Sequence, residues 1–426
     1  MKFKETDANY ARKLETVIKR SNFSNLDSQD QATFRTRSLK YRFTTQELKQ
    51  LIDMALDFKM WGESGIHKFF REKSEKKAVF EAMKNAWIGL KKAPKSYDNF
   101  FEGPKSTLEN KKNLVGIYRE SLGFGVCPAA SKNTRCCNLL TLDAAEGCGF
   151  DCSYCSIHYF YNPGTVVIDK NFARKLRLLE LDSHRTYHIG TGQSSDSLMW
   201  GNKWGILDAL LDFAERNPNV ILELKSKSNN VKHIVSRKIP ANVISTWSLN
   251  TDTIIRNEEH LTASLSRRLA AAAAVSEKGN LIGFHIHPML RYDRWQTEYG
   301  ELFDQIQKRF RPQELALISF GTLTFTKGII RGIRGKRKRS KVLQMPLEKI
   351  AGKYSYPLGV KEKMFRFAYE KFSRWHKSVF FYLCMEDISL WPKVFDYGYS
   401  SNDAFETAMI NHYLDKIESC SGQNLC

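Results

Sequence analysis

Over the second two thirds of the chain, short apolar runs alternate with amphipathic stripes. Short strand-length runs lie at 185–190, 220–225, 243–249, 281–288, 315–322 and 379–385, most of them rich in Val, Ile, Leu and Phe, the pattern of strands buried in a sheet. Segments such as 204–217 and 264–278 lie between them with apolar residues at helical spacing. A further strand at 139–143 precedes the series. This order predicts α/β architecture, a parallel sheet with right-handed crossovers. Six or so units make a partial or full barrel, whose functional residues stand where strands end and loops begin.

The first 120 residues are patterned differently. Leu48, Leu51, Ile52, Met54, Ala55 and Phe58 recur at helical spacing behind an N-cap signal at Thr44 or Thr45. A second helix runs through 77–83, and Pro94, Gly103 and Pro104 interrupt the pattern. The expected organisation is a helical, basic accessory domain at 1–125, an α/β partial barrel at 126–400, and a C-terminal helix and tail at 401–426.

Composition sharpens this outline. A 426-residue chain with 42% hydrophobic content can bury a sizeable core. It has no run of 18 apolar residues, and MKFKETDANYARK is neither a signal nor a transit peptide. No membrane association and a cytoplasmic location are expected. Lys and Arg number 66 against 46 Asp and Glu, a formal charge of +20, which attracts polyanions and nucleic acid above all. The segment 327–341 concentrates this charge, with eight Lys or Arg and three glycines. It reads either as a solvated loop or as a phosphate-binding element, and the second is preferred.

The chemistry centres on Gly147-Cys148-Gly149-Phe150-Asp151-Cys152-Ser153-Tyr154-Cys155. Thiolates spaced C-x₃-C-x₂-C suit a soft metal centre better than a disulfide. No fourth cysteine follows at ligand spacing, so a four-iron cluster here would keep one iron open to a substrate or cofactor; a three-cysteine zinc site is the alternative. Cys127 and the pair Cys136-Cys137 read as extra cluster ligands, zinc ligands or buried thiols, and since their spacing matches no metal pattern the last is preferred. Polar residues follow successive strands: Gln193-Ser194-Ser195-Asp196, Ser226-Lys227-Ser228, Ser248-Leu249-Asn250 and His285-Ile286-His287. One histidine of the last group is expected to touch substrate or cofactor. Satisfied core histidines and a metal pair are the alternatives.

The cysteine loop resembles the signature of the radical S-adenosylmethionine (SAM) superfamily, including the aromatic Tyr154 before the last cysteine. The resemblance implies that Cys148, Cys152 and Cys155 hold a [4Fe-4S] cluster whose open iron chelates SAM. Reductive cleavage of SAM then yields a 5′-deoxyadenosyl radical that abstracts hydrogen. From Leu139 to Tyr356 the loop, the Ser-Ser-Asp turn, Ser226–His233, Ser248–Asp252, Gly283–Pro288, Trp295 and Gly352–Pro357 together resemble spore photoproduct lyases. That implies a partial (β/α)₆ barrel, SAM contacts at Ser194, Lys227, Ser248 and Asn250, and repair of a methylene-bridged thymine dimer in DNA. An external electron donor such as flavodoxin or ferredoxin is expected. The family's hydrogen-returning cysteine falls at Gln193, whose amide N–H bonds are too strong for that role. Cys384, near the end of the last strand, and the tyrosines beside the loop are the remaining donors. The alternatives are a radical SAM enzyme of this fold acting on RNA or a peptide, and a non-catalytic iron–sulfur protein that binds nucleic acid.

Overall fold

The computed structural model describes residues 2–70, 75–100, 112–127, 133–162, 164–336, 338–350 and 352–422. Gly103 and Pro104, named above, lie outside the described residues, as do Arg337 within 327–341 and residues 423–426 of the tail. The chain separates into two compact units. The first comprises Met1–Phe101, Arg291–Asp293 and Thr324–Ser355, and the second comprises the remainder. The helical unit thus takes in a later insertion, 324–355. The helix Asn402–Gly422 belongs to the α/β unit.

In the first unit Thr44 caps the helix Thr45–Trp61 through a reciprocal capping box with Glu47. This satisfies two N-terminal amide donors that helical bonding leaves open. The apolar stripe of that helix is buried, with Leu48, Leu51 and Ile52 at 0% exposure. A second long helix spans Lys76–Lys92. The basic segment is not the loop that its glycines and charges allowed. Thr326 caps a helix, Lys327–Gly335, whose Ile329 and Ile333 are buried. Arg334 bonds Asp57 at 2.8 Å and Asp53 at 2.7 Å, so this cation is spent inside the unit. Three short antiparallel strands, Thr324–Phe325, Lys353–Ser355 and Glu348–Ile350, complete the unit.

The second unit is built on one eight-stranded sheet. Its strands are β1 (Phe124–Val126), β2 (Leu140–Leu142), β3 (Tyr187–Thr191), β4 (Val220–Ser226), β5 (Val243–Ser248), β6 (Ile282–Met289), β7 (Leu315–Thr322) and β8 (Phe380–Leu383). They lie in the order β8-β7-β6-β5-β4-β3-β2-β1. Strands β2 to β8 pair parallel, and β1 closes the edge antiparallel to β2. Sequential parallel neighbours joined by crossovers give the curled half-barrel expected from the βα alternation. Helices Ile206–Arg216, Leu265–Ser276, Trp295–Arg309 and Leu358–Lys371 lie among those crossovers. β7 is buried along its whole length.

A polar network fills part of the interior. The buried Glu223 carboxylate on β4 bonds His188 at 3.0 Å, His285 at 2.7 Å and Thr246 at 2.9 Å. His285 uses its other ring nitrogen on Ser319 at 2.7 Å. It is thus a satisfied core side chain, not a free ligand. His287 approaches Ser319 at 3.3 Å. Among the described residues no helix is long and apolar enough to cross a membrane.

Candidate active site

The three cysteines come from one loop between a short strand, Ala145–Glu146, and the helical turn Ile157–Phe160. Gly147 enters it at φ +84°, and a side chain there would meet the Thr165 carbonyl at 2.8 Å, so glycine is required. The Lys112 ammonium donates to the Cys148 carbonyl and, at 3.1 Å, to that of Phe150. Asp151–Cys152 forms an antiparallel ladder with Glu259–His260, pairing Cys152 with Glu259. The Ser153 amide donates to the Glu258 carbonyl at 2.8 Å.

None of the three is in a disulfide; Cys148 and Cys152 are buried and Cys155 is half-buried. They pack with Phe150, Tyr154, Ile157 and Met199. Burial pushes the Cys148 thiol well up, and the proximity of Cys155, Asp196 and Cys152 adds to this. Cys152 is pushed up to about 12 by burial and then by Glu259, against the pull of Lys227. Buried soft donors that resist ionising alone fit a metal centre, because bound metal deprotonates a thiol outright. Among the described residues no three His, Cys, Asp or Glu side chains are grouped as around a single ion. A four-iron cube takes its thiolates at separate corners, and three cysteines of one loop can supply three of them.

Behind the loop lies the buried carboxylate of Glu259, which the sequence did not single out. Arg268 pairs with it at 2.6 Å, both side chains at 0% exposure, and Lys227 pairs at 3.3 Å. Tyr154 donates its hydroxyl to the same carboxylate, and Asn250 donates at 3.3 Å. Burial alone would raise the Glu259 pKa, but Arg268 and Lys227 hold it down to about 2. Arg268 also donates to the carbonyls of Ser248 and Ala263, each at 2.8 Å. Cluster loop, β4 end and β5 end are thus tied to one buried charge.

Asn250 is fully buried and uses both ends of its amide: it donates to Pro288 at 2.9 Å and accepts from Tyr299 at 2.7 Å. Its place here is to hold the turn after β5. Ser248 ends β5 half-buried, in register with His285. Lys227, just past β4, donates its amide to Asp196 at 2.7 Å and places its ammonium 5.9 Å from the Tyr154 ring centre. Asp196 also accepts from Ser226, Leu198 and Met199, which pins the Ser-Ser-Asp turn to β4.

Ser194 donates its hydroxyl to Asp143 at 2.9 Å and its amide to the same carboxylate at 3.0 Å. With that proton spent, the Tyr161 hydroxyl 2.9 Å away is the donor to Ser194. The result is a chain Tyr161–Ser194–Asp143 directly beside Gln193. Burial raises the Asp143 pKa against the bonds from Ser194. Cys384 is placed elsewhere, past β8, its amide on the Phe320 carbonyl at 2.9 Å.

A half-barrel whose strand β2 leads into a three-thiol loop defines the fold class of this chain. The family model for spore photoproduct lyase matches residues 110–371, and the chain belongs to that family. The spore photoproduct lyase of Clostridium acetobutylicum is 25% identical over 223 residues, 51% of this chain and 62% of that relative. The match thus spans less than two thirds of that relative's length. The lyase of a Geobacillus species is 24% identical over 249 residues, 57% of this chain and 69% of the relative. A solved lyase mutant with bound AdoMet and dinucleoside spore photoproduct superposes at a TM-score of 0.55 with 18% identity, covering 71% of this chain and 93% of that one. Another lyase mutant gives 0.54 and 20%, covering 66% and 85%.

Proposed function

We propose that this protein is a radical SAM enzyme that opens a thymine photoproduct in DNA. The observation that carries this reading is the three-thiol loop anchored to the Glu259–Lys227–Arg268 charge cluster at the strand ends. Cys148, Cys152 and Cys155 would hold a [4Fe-4S] cluster. When bound and reduced by an external donor of the flavodoxin or ferredoxin type, cluster and SAM together supply a 5′-deoxyadenosyl radical.

The chain's own groups orient and gate that chemistry. Lys227 is the cation available to a SAM carboxylate, balanced by Glu259 until the ligand arrives. Ser248 supplies a hydroxyl at the end of β5, where Asn250 fixes the following turn, and Ser194 beyond β3, its proton spent on Asp143, offers only its remaining lone pair. Tyr154 spends its hydroxyl on Glu259 and stiffens the loop. The return of a hydrogen atom to the product radical falls to Tyr161, whose phenol bonds Ser194, the residue after Gln193; the neutral tyrosyl radical left behind takes an electron from the external donor and a proton from solvent. DNA phosphates are met by cations of the helical unit, Lys49, Lys327 and Arg331, which line one surface pocket with Trp87 and Tyr354.

The test is anaerobic reconstitution with iron and sulfide, then SAM, a low-potential reductant and photoproduct-bearing DNA. Formation of 5′-deoxyadenosine together with restored thymines is expected. Absence of 5′-deoxyadenosine would overturn the reading. Gln193 favours one other substrate assignment, in which the same radical start acts on a different nucleic-acid lesion. 5′-Deoxyadenosine without thymine restoration would point there.

A further inference from the structure

The pocket in the helical unit is larger than phosphate contacts require. Its volume is about 960 Å³, and every residue that lines it belongs to that one unit. Its walls are residues 16–22, the helices Thr45–Trp61 and Lys76–Lys92, and the helix Lys327–Gly335 with Leu343, Leu347 and Tyr354 beyond it.

The lining divides by chemistry. Val17, Ile330, Leu343, Leu347 and the rings of Trp87 and Tyr354 give it an apolar floor. Arg20, Lys49, Lys91, Lys327, Arg331 and Arg334 are six cations against one acid, Asp53. That acid is already paired with Arg334 at 2.7 Å. Among the described residues Lys49, Lys327 and Arg331 have no carboxylate in an ion pair, and all three are exposed.

The walls are held in place by bonds that leave those cations available. Arg334 ties its helix to Asp53 and Asp57 of the helix Thr45–Trp61. Trp87 donates its ring N–H to Asp57 at 2.8 Å, and the Lys91 ammonium lies 4.6 Å over the Trp87 ring. Arg331 donates to the Arg20 carbonyl at 2.7 Å, and Asn22 donates to the Arg331 carbonyl at 3.0 Å. Lys327 and Arg331 stand four apart on one helix, a like-charge pair that repels. Lys327 also occupies the first turn, where the helix dipole disfavours a cation. An anion between them would relieve both costs.

A bare phosphate would leave most of this volume empty. Duplex DNA presents its phosphates on a convex surface and would leave the apolar floor uncovered. A nucleotide carries a flat apolar face and a phosphate in one molecule, and the volume lies in the range of small-ligand pockets. We propose that this pocket holds an unpaired nucleotide, its base against Leu347 and Tyr354 and its phosphate among Lys49, Lys327 and Arg331. Its source, which rests on the DNA reading above, is a single-stranded end or an extrahelical nucleotide of the bound strand.

The test uses the full chain, reconstituted anaerobically, and 2′-deoxyguanosine 5′-phosphate, whose base is neither the thymine of the lesion nor the adenine of SAM. Calorimetric titration should show one nucleotide bound per chain, about tenfold or more tighter than deoxyguanosine or deoxyribose 5-phosphate, the scale of one stacked base. Gly328 lines the pocket in the first turn of its helix. Gly328→Asp places a carboxylate there, where the helix dipole favours it, so the unfolding midpoint should hold while nucleotide affinity falls about tenfold or more. A duplex with a 5′-phosphorylated single-stranded overhang should bind more tightly than the blunt duplex, and the free nucleotide should compete the difference away. Deoxyribose phosphate bound as tightly as the nucleotide, or affinity unchanged in Gly328→Asp, would overturn the site. An overhang that adds nothing would overturn the strand as its source. The function proposed above is read separately: 5′-deoxyadenosine formed by a chain that binds no nucleotide refutes this inference alone.

Discussion

Glu259→Gln removes the charge on which the cluster loop rests. The side chain is fully buried between Arg268 at 2.6 Å and Lys227 at 3.3 Å. Its folded pKa stands at about 2 against an ordinary value of 4.5. A carboxyl depressed that far adds about 3 kcal/mol of stability at neutral pH. Breaking a buried pair from one side costs ~3–5 kcal/mol, because the partner charge is left uncompensated. A loss of about 3 kcal/mol is therefore expected from Glu259→Gln in urea unfolding followed by far-UV circular dichroism. The sign of the pH dependence follows from the depression. The contribution is complete above pH 4.5 and is lost as pH falls through the window down to about 2. The natural protein should lose stability across that window more steeply than the variant. Arg268→Leu should cost a similar amount alone, and the double variant less than the sum by about 2 kcal/mol or more, since neither charge is then stranded. Additive costs, or an acid limb unchanged in Glu259→Gln, would refute the reasoning.

Cys152→Ala should lose loop-bound iron and all SAM cleavage, measured as iron content and 5′-deoxyadenosine; normal cleavage would exclude the loop as the cluster site. Tyr161→Phe should keep 5′-deoxyadenosine formation within about twofold but reduce thymine restoration by ten-fold or more, the ratio expected of a group acting only in the return step. Gln193→Cys in that background should recover restoration, and equal repair by Tyr161→Phe and the natural protein would remove Tyr161 from the reaction. Lys327→Gln/Arg331→Gln should flatten the salt dependence of DNA binding by about one to two in log–log slope, whereas Arg334→Gln should lower stability instead, because its guanidinium already serves Asp53 and Asp57; an unchanged slope in the first variant would take that helix out of the DNA interface.

Local pattern alone determined much of this protein. The βα alternation fixed a parallel sheet, since apolar runs of strand length separated by amphipathic helices have few other ways to bury both faces. Thr44 and Glu47 announced a helix start because a capping box is a contact between residues three apart. The three loop cysteines were legible because a chelating loop brings its donors together along the chain. What stayed hidden depends on residues far apart in sequence. Glu259, over a hundred positions from Tyr154, is an unremarked acid until the Cys152 ladder folds it beneath the loop. Asn250 reads as a mouth residue by strand-end position, yet Tyr299 and Pro288 take up both ends of its amide. The segment 327–341 reads as a charged loop because its glycines and cations disfavour helix locally, but burial of Ile329 and Ile333 and the Asp57–Arg334 bond outweigh propensity. Cys127, Cys136, Cys137 and Cys384 carry no spacing signal at all. Only the closing of β8 against the chain before β2 puts four thiols around one small cavity, and a meeting of separate segments leaves no pattern in the sequence.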